Sequence, residues 1–263
     1  MRVRTFLAVA GVATCLTGST VEAQLAMAGE AGVVMGQVGI IASDLDAQRA
    51  FWAELGGTPV QNGPLQMIKF PGAFVTLRQG EPTGGTVGST INHIGFNVQQ
   101  MSEWLPKWQA AGLEIETTRR PTQVYLMGPE GVRIEILEDS NVAESLQFHH
   151  VHFFVTEPLE MQSWYQKNLG AVPGKRAIFD AGDLPGVNLT FSGSDEALPG
   201  IAGRSLDNVG FEVKDLESFT KKLEAAGVSF ERPYRVIADS DIAMATIVDP
   251  WGIKLVLTEN LAP

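Results

Sequence analysis

Two histidines open closely similar phrases of the sequence, and imidazole is the side chain best suited to binding a metal ion or moving a proton near neutral pH. His93 begins His-Ile-Gly-Phe-Asn-Val, and His150 begins His-Val-His-Phe-Phe-Val. Related phrases begin at Gln37 and at Asn208, so the four opening positions are almost evenly spaced along the chain. A nearly constant period of this kind indicates a repeated supersecondary unit. The first position of each phrase is therefore where the repeats can differ in chemistry.

A carboxylate also lies in a strand-like stretch. Glu135 alternates with Ile134 and Ile136, so in a strand it faces away from these apolar residues and to the same side as Arg133. The phrase that begins at His93 alternates in the same way. An imidazole and a carboxylate on one face of a sheet are suitable ligands for Fe(II), Mn, Zn or Ni.

The elements that would position these residues follow one pattern in all four repeats. Each phrase predicts a half-buried strand, and a helix follows it. Residues suited to capping a helix precede helically spaced apolar residues in every repeat: Asp44, Ser102, Thr156 and Asp215. A glycine follows each predicted helix, and an extended stretch and a proline-containing hairpin turn come next. The sequence therefore predicts the unit β-α-β-β-β four times over, an α+β fold.

Four such modules, with the opening His-hydrophobic-Gly-Phe-x-Val and the closing Gly-Pro-Glu-Gly-Val-Arg-Ile-Glu-Ile-Leu of module two, resemble the vicinal oxygen chelate superfamily. That superfamily includes glyoxalase I, extradiol dioxygenases, epimerases and bleomycin-resistance proteins. The resemblance covers residues 32–260. It implies the glyoxalase/bleomycin resistance/dioxygenase fold, in which four modules pair into two cupped mixed β-sheets. We expect two domains, residues 32–140 (modules one and two) and 147–260 (modules three and four).

The resemblance also implies where a divalent metal would bind. In the superfamily, the concave face of a cupped sheet takes ligands from the opening residue of a module and from a carboxylate on its last strand. The opening residues here are Gln37, His93, His150 and Asn208. The last-strand positions are Thr76, Glu135, Thr190 and Val256. Only module two has both a histidine and a carboxylate.

Two ligand sets follow, depending on which modules pair. If modules two and three pair, His93, Glu135 and His150 form the 2-His-1-carboxylate triad of non-haem Fe(II) enzymes. If modules one and two pair, the ligands are Gln37, His93 and Glu135, which resembles glyoxalase I with one glutamate replaced by Thr76. We favour the triad because it needs no weak amide ligand. Under either pairing the ion is Fe2+, Mn2+, Zn2+ or Ni2+, and the other half of the molecule is expected to be inactive.

Two further residues are candidates for proton transfer. His152 lies two residues after His150 and so shares its face. Tyr125 lies on the strand that leads into the hairpin of module two. His149 is expected to face the other way and to be structural. Arg133 is expected either to pair with Glu135 or to bind an anionic substrate.

Composition and the amino terminus limit the partners and the compartment. The net charge of −11 argues against nucleic acid and anionic membranes as partners. Residues 1–23 resemble a signal peptide, with Arg2 and Arg4 before an apolar run and small residues near Ala23. Cleavage would remove Cys15, the only cysteine, and would leave no disulfide or thiolate ligand. We expect a periplasmic or secreted protein.

The leading hypothesis is an exported metal-dependent enzyme, glyoxalase-like or dioxygenase-like, that acts on a small molecule with vicinal oxygens. It would be a lyase, an isomerase or a ring-cleaving dioxygenase, working as a monomer or homodimer. The alternative is a metal-free, resistance-type binding protein, which needs only an apolar cavity with a few polar anchors. Metal content distinguishes the two.

Overall fold

The structure is a computed structural model that describes residues 25–263. The predicted signal peptide, residues 1–23, lies outside the described residues. Within residues 25–263, no helix is long and apolar enough to cross a membrane.

Each of the four modules consists of a strand, a helix and three further strands, as predicted. Module one contains β1 (Val33–Ala42), α1 (Leu45–Leu55), β2 (Thr58–Asn62), β3 (Leu65–Phe70) and β4 (Ala73–Gln79). Module two contains β5 (Ile91–Val98), α2 (Met101–Ala110), β6 (Glu114–Thr117), β7 (Gln123–Gly128) and β8 (Val132–Glu138). Module three contains β9 (Leu146–Val155), α3 (Pro158–Leu169), β10 (Val172–Arg176), β11 (Phe179–Leu184) and β12 (Val187–Gly193). Module four contains β13 (Leu206–Val213), α4 (Leu216–Ala225), β14 (Phe230–Val236), β15 (Ala243–Val248) and β16 (Lys254–Glu259).

The strands of residues 25–263 form two eight-stranded mixed sheets, each built from two modules. Sheet A has the order β14-β15-β16-β13-β1-β4-β3-β2, so modules four and one pair. Sheet B has the order β10-β11-β12-β9-β5-β8-β7-β6, so modules three and two pair. At the centre of each sheet the opening strands of the two modules run antiparallel. The predicted fold is confirmed, and the alternative pairing of modules one and two is wrong.

Each sheet contains strands from both predicted domains. Each sheet takes one module from residues 32–140 and one from residues 147–260. Sheet B joins neighbours in the sequence, because only residues 139–145 separate β8 from β9. Sheet A joins the first and last modules. The boundary near residue 140 therefore does not separate one sheet from the other, and as a division between folding units it stays a prediction.

The core lies between the two sheets and under the helices. Trp52 of α1, Phe70 of β3 and Phe96 of β5 are fully buried and pack edge to face in series, with ring centroids 6.0 Å and 4.9 Å apart. Because β3 belongs to sheet A and β5 to sheet B, these rings join the sheets. Ile94 shares the face of Phe96 and is also fully buried. The side chain of His93 points to the opposite face of β5, away from this core.

Two of the four predicted helix caps are correct. The carboxylates of Asp44 and Asp215 accept hydrogen bonds from backbone N–H groups in the first turns of α1 and α4. The prediction for Ser102 is wrong, because α2 begins one residue earlier, where the Glu138 carboxylate accepts the first helical N–H at 2.7 Å. The prediction for Thr156 is also wrong, since α3 begins two residues later, at a proline. In α2 the carboxylate of Glu138, distant in the sequence, takes the place of a local cap. Rules based on neighbouring residues do not reveal such a contact.

Candidate metal centre

Two β-bulges position the histidines of sheet B. Along the pairing of β5 with β9, the register skips Asn92 and His149, the residues immediately before His93 and His150. A bulge bends its strand and redirects the side chains beside it. Sheet A has bulges at the equivalent positions, Gly36 and Asp207. The repeat thus includes a backbone irregularity that turns the opening residue of each module.

The side chains of His93, Glu135 and His150 converge. Oε2 of Glu135 lies 3.0 Å from Nε2 of His150 and 3.5 Å from Nε2 of His93, and all three residues are buried. Ligand atoms with metal bonds of about 2.1 Å and bond angles of about 90–110° lie roughly 3.0–3.4 Å apart. The two distances from Oε2 of Glu135 are therefore close to those between ligands of one divalent ion.

His150 offers a free lone pair to such an ion. Its Nε2 is buried and accepts no hydrogen bond from residues 25–263, since the 3.0 Å approach to Glu135 lacks hydrogen-bond angles. Its Nδ1 lies 2.9 Å from Nδ1 of His149. With the proton on Nδ1, the other nitrogen is free to bind a metal, as is usual when a neighbouring group fixes the tautomer. The expectation that His149 faces away is wrong, because the bulge brings its ring beside His150.

A third histidine joins the cluster. His93, His150 and His152 have ligand atoms that all lie within 4.8 Å of one another. Nδ1 of His152 is 3.2 Å from Nε2 of His93, and its Nε2 is 2.7 Å from the hydroxyl of Ser192. The residue predicted for proton transfer is thus in contact with the candidate ligands.

Three hydrogen-bond donors hold Glu135. The Tyr125 hydroxyl donates to Oε1 at 3.0 Å, and the Gln123 amide donates to the same oxygen. The Arg176 guanidinium approaches Oε2 at 3.2 Å. Gln123 and Arg176 were not predicted. Gln123 lies two residues before Tyr125, so strand alternation could have found it, whereas Arg176 comes from another module and carries no local signal.

Arg133 does not pair with Glu135. Its guanidinium lies 3.7 Å from the centre of the Tyr125 ring and 3.0 Å from a carboxylate oxygen of Glu116. Stacking of this kind holds both the ring and the guanidinium in place.

Burial and hydrogen bonding set the charges of the cluster. Burial alone would raise the pKa of Glu135, but the close approach of the His150 and His93 imidazoles holds the pKa well below its ordinary value. Burial lowers the pKa values of His93 and His150, and that of His152 to about 3. Burial, together with the nearby charge of Glu135, raises the pKa of Tyr125 to about 12. At neutral pH the cluster contains one carboxylate, neutral imidazoles and a protonated phenol, and a carboxylate with neutral imidazoles is the form that binds metal.

A cavity of about 810 Å³ opens onto this cluster. His93, Glu135 and His152 line it, and Phe154 and Phe179 supply apolar wall. Its volume lies within the range of sites for small organic ligands.

The structure does not bring Gln37 to the histidines. Gln37 lies on β1 of sheet A and lines a separate cavity of about 490 Å³ together with Thr76, Asn208 and Val256. Gln37, Asn208 and Thr76 occupy the positions of the candidate ligands His93, His150 and Glu135 of sheet B. The buried Oε1 of Gln37 and Oδ1 of Asn208 have no hydrogen-bond partner in the described part of the chain.

Comparison with known proteins agrees with this architecture. Residues 147–257 match the family model Glyoxalase/Bleomycin resistance protein/Dioxygenase superfamily. Glyoxalase I from Zea mays aligns with a TM-score of 0.70 and 16% identity, over 87% of this chain and 92% of that chain. A putative dioxygenase from Bacillus subtilis subsp. subtilis str. 168 aligns with a TM-score of 0.68 and 13% identity, over 90% and 86%. No curated protein matches the sequence significantly.

At such low identity the solved structures show the fold alone. The family match covers module three and most of module four, and modules one and two repeat the same β-α-β-β-β unit in paired sheets. Residues 147–257 therefore match the glyoxalase/bleomycin resistance/dioxygenase superfamily, also called the vicinal oxygen chelate superfamily, and the chain as a whole shares the fold of these solved structures.

Proposed function

We propose that this protein is a divalent-metal-dependent enzyme, glyoxalase-like or dioxygenase-like, that acts on a small substrate with two adjacent oxygens in the cavity of sheet B. One observation carries the proposal. Two neutral imidazole nitrogens lie 3.0 Å and 3.5 Å from one carboxylate oxygen, close to the spacing of metal ligands, and one of the two accepts no hydrogen bond from the described residues. Two imidazoles and one carboxylate also leave coordination positions for substrate oxygens.

The surrounding residues have separable roles in this proposal. A bound divalent ion would act as a Lewis acid on the substrate oxygens. His152 is neutral at pH 7 and borders the cavity, so its imidazole can accept a proton from the substrate. Tyr125 stays protonated and donates to Oε1 of Glu135, and this leaves Oε2 facing the histidines. Phe154 and Phe179 provide an apolar wall beside the reacting atoms.

Arg176 favours the alternative of a metal-free binding protein. Its guanidinium lies 3.2 Å from Oε2 of Glu135, the oxygen that His93 and His150 also approach. A guanidinium already neutralises the carboxylate, and a divalent ion at the same oxygen would be repelled by it. In the metal-dependent enzyme, Arg176 must therefore withdraw from Oε2 when the ion binds.

We further propose that the protein is exported to the periplasm or secreted, as a monomer or homodimer. The support is the order of charged, apolar and small residues within positions 1–23. Mass spectrometry of the protein expressed from the full chain should find an amino terminus at about Gln24. An intact Met1 in all of the recovered protein would contradict export by cleavage.

Metal content tests the enzyme proposal. We expect the protein expressed from the full chain to bind about one equivalent of Fe(II), Mn(II), Zn(II) or Ni(II), measured by elemental analysis and by titration against a chromophoric chelator. Glu135→Gln keeps the shape of the side chain but removes an anionic ligand, so its metal affinity should fall about 100-fold or more. Thr76→Val, at the equivalent position of sheet A, is the matched control and should bind metal like the unaltered protein.

Two results would contradict the proposal. The first is a folded, unaltered protein that binds none of these ions after reconstitution, which would favour the metal-free binding protein. The second is an equal affinity in Glu135→Gln and the unaltered protein, which would place any metal elsewhere. Circular dichroism of each variant checks that the fold is intact.

A further inference from the structure

The cavity of sheet B is basic, although the chain as a whole is acidic. Four arginines line it, Arg119, Arg120, Arg133 and Arg176, against the carboxylate of Glu135. Even without the histidines, these lining residues carry three more positive than negative charges. The chain has a net charge of −11. A basic cavity in an acidic protein concentrates anions at that place.

Two of the four arginines are already paired. Arg176 is bound to Glu135, and Arg133 is bound to Glu116 and stacked on Tyr125. Their charges are therefore largely neutralised by neighbouring carboxylates. They shape the cavity more than they attract a ligand.

The other two arginines pair with no carboxylate among the described residues. Arg119 and Arg120 lie on the bend between β6 and β7, are exposed, and form no ion pair with any residue of 25–263. Two consecutive arginines at the edge of one cavity place two positive charges there, which a bound anion would neutralise. Guanidinium is also the group that binds carboxylates through two parallel hydrogen bonds.

The far side of the cavity is apolar. It is formed by the tight turn between β10 and β11, where Ala177 has φ +53° and Ile178 is 84% exposed. Phe179 follows the turn, and Phe154 lies beside it. The strands β6 and β10 are at opposite ends of sheet B, so the turn and the two arginines face each other across the cavity. Exposed aliphatic and aromatic groups at the edge of a cavity are typical of a surface that a ligand covers.

We propose that the substrate is an anionic molecule with a carboxylate on an apolar, planar body. The carboxylate binds Arg119 and Arg120, and the body packs on Phe154, Ile178 and Phe179. The remaining oxygens of the substrate then lie towards His93 and His152. Only this last placement rests on the proposed function, since the arginines and the apolar wall do not depend on a metal.

The test compares two probes that differ in charge but hardly in shape. Isothermal titration calorimetry of the metal-free protein, in chelator, would use 3,4-dihydroxybenzoate and the neutral 3,4-dihydroxybenzyl alcohol. We expect the anion to bind about tenfold more tightly, as a charge-assisted pair at a partly exposed site allows. This preference should decrease when the ionic strength is raised.

Variants locate the preference. Replacing Arg119 and Arg120 together by Gln should make the two probes bind equally. Arg78→Gln removes an exposed arginine from the cavity of sheet A and should change nothing. Equal binding of both probes by the unaltered protein would overturn the proposal. So would a preference that survives the double substitution, or the absence of binding by either probe.

The result is separable from the metal test. If the protein binds metal but binds both probes equally, only this inference is contradicted. A protein that binds no metal but prefers the anion, and loses the preference in the double variant, is an anion-binding member of the superfamily without the proposed chemistry.

Discussion

Sheets A and B have equivalent strand orders and equivalent bulges, yet their concave faces carry different chemistry. Where sheet B has His93, His150 and Glu135, sheet A has Gln37, Asn208 and Thr76. The four histidines of the chain all lie in sheet B. The backbone thus provides two similar cavities, and only a few side chains decide which of them is suited to hold a metal ion. This is how one fold carries several functions.

The space for the opening side chain is made in the same way in both sheets. A Cβ atom at Gly95 would lie 1.9 Å from Cε1 of His150, and one at Gly39 would lie 2.0 Å from Nδ2 of Asn208. Each glycine therefore lets the opening side chain of the partner module lie flat across its strand. Module three has His152 at this position instead, and that ring touches His93.

The largest difference between the sheets should come from filling these two spaces. Gly95→Ala and Gly39→Ala should each lower the free energy of unfolding by about 1–3 kcal/mol, because both introduce a similar overlap. Only Gly95→Ala displaces a candidate ligand, so only it should weaken metal binding, by about 100-fold. Denaturant titration and metal titration of both variants measure the two effects. Equal metal affinities in the two variants would mean that His150 is not a ligand.

A smaller effect on metal affinity is expected from His152→Gly. This substitution gives sheet B the glycine that sheet A has at the equivalent position, Gly210. Without the opposing imidazole, the ring of His93 can lie over residue 152, as Gln37 lies over Gly210. If His152 transfers protons, metal affinity should change by less than about tenfold, the lower end of the range for groups around the ligands. A loss as large as that of Glu135→Gln, seen in the same metal titration, would instead make His152 a ligand.

A further effect, which concerns stability and not metal binding, comes from a second buried carboxylate. Asp249, in the last turn of module four, accepts a hydrogen bond from the Tyr165 hydroxyl at 3.0 Å, but no cation pairs with it among residues 25–263. Burial raises its pKa from 3.8 to about 6, the opposite direction to Glu135. The folded state therefore binds the proton more tightly than the unfolded state, and the contribution of Asp249 to stability grows as the pH falls from about 6 towards 4.

Asp249→Asn should remove this pH dependence. Asparagine keeps the oxygen that accepts backbone N–H groups from Trp251 and Ile253. The difference in unfolding free energy between the unaltered protein and the variant should change by about 1–3 kcal/mol between pH 7 and pH 4.5. Denaturant titrations at the two pH values measure it. A difference that does not vary with pH would mean that Asp249 titrates normally.

Much of the fold could be predicted from the sequence, because the repeat states each element four times. The hydrophobic alternation around Ile94 and Phe96 identified both the strand and its buried side. The hydrophobic pattern did not decide the pairing of modules, because all four opening strands are similar, and only the ligand chemistry favoured modules two and three. The bulges at Asn92 and His149 were also missed, since a bulge changes the register without a characteristic residue type.

The residues of the candidate site that belong to local sequence patterns could be predicted. His93, Glu135 and His150 are brought together because each is fixed by its own strand and by the repeat. Arg176 enters from the next module through a hairpin whose residues carry no distinctive motif. Contacts between modules depend on tertiary geometry, and they are where the sequence alone was insufficient.

The pairing of β1 with β13 also affects how the chain folds while it is being synthesised. β1 ends at Ala42 and β13 begins only at Leu206, whereas every strand of sheet B lies between Ile91 and Gly193. During synthesis, sheet B can assemble as its strands emerge from the ribosome, while β1 lacks its partner until module four is complete. Pairing over such a distance in sequence is slow, and an unpaired strand edge readily joins other chains. We expect truncation within module four to cause aggregation through β1, even though the histidine cluster lies wholly in the part already made.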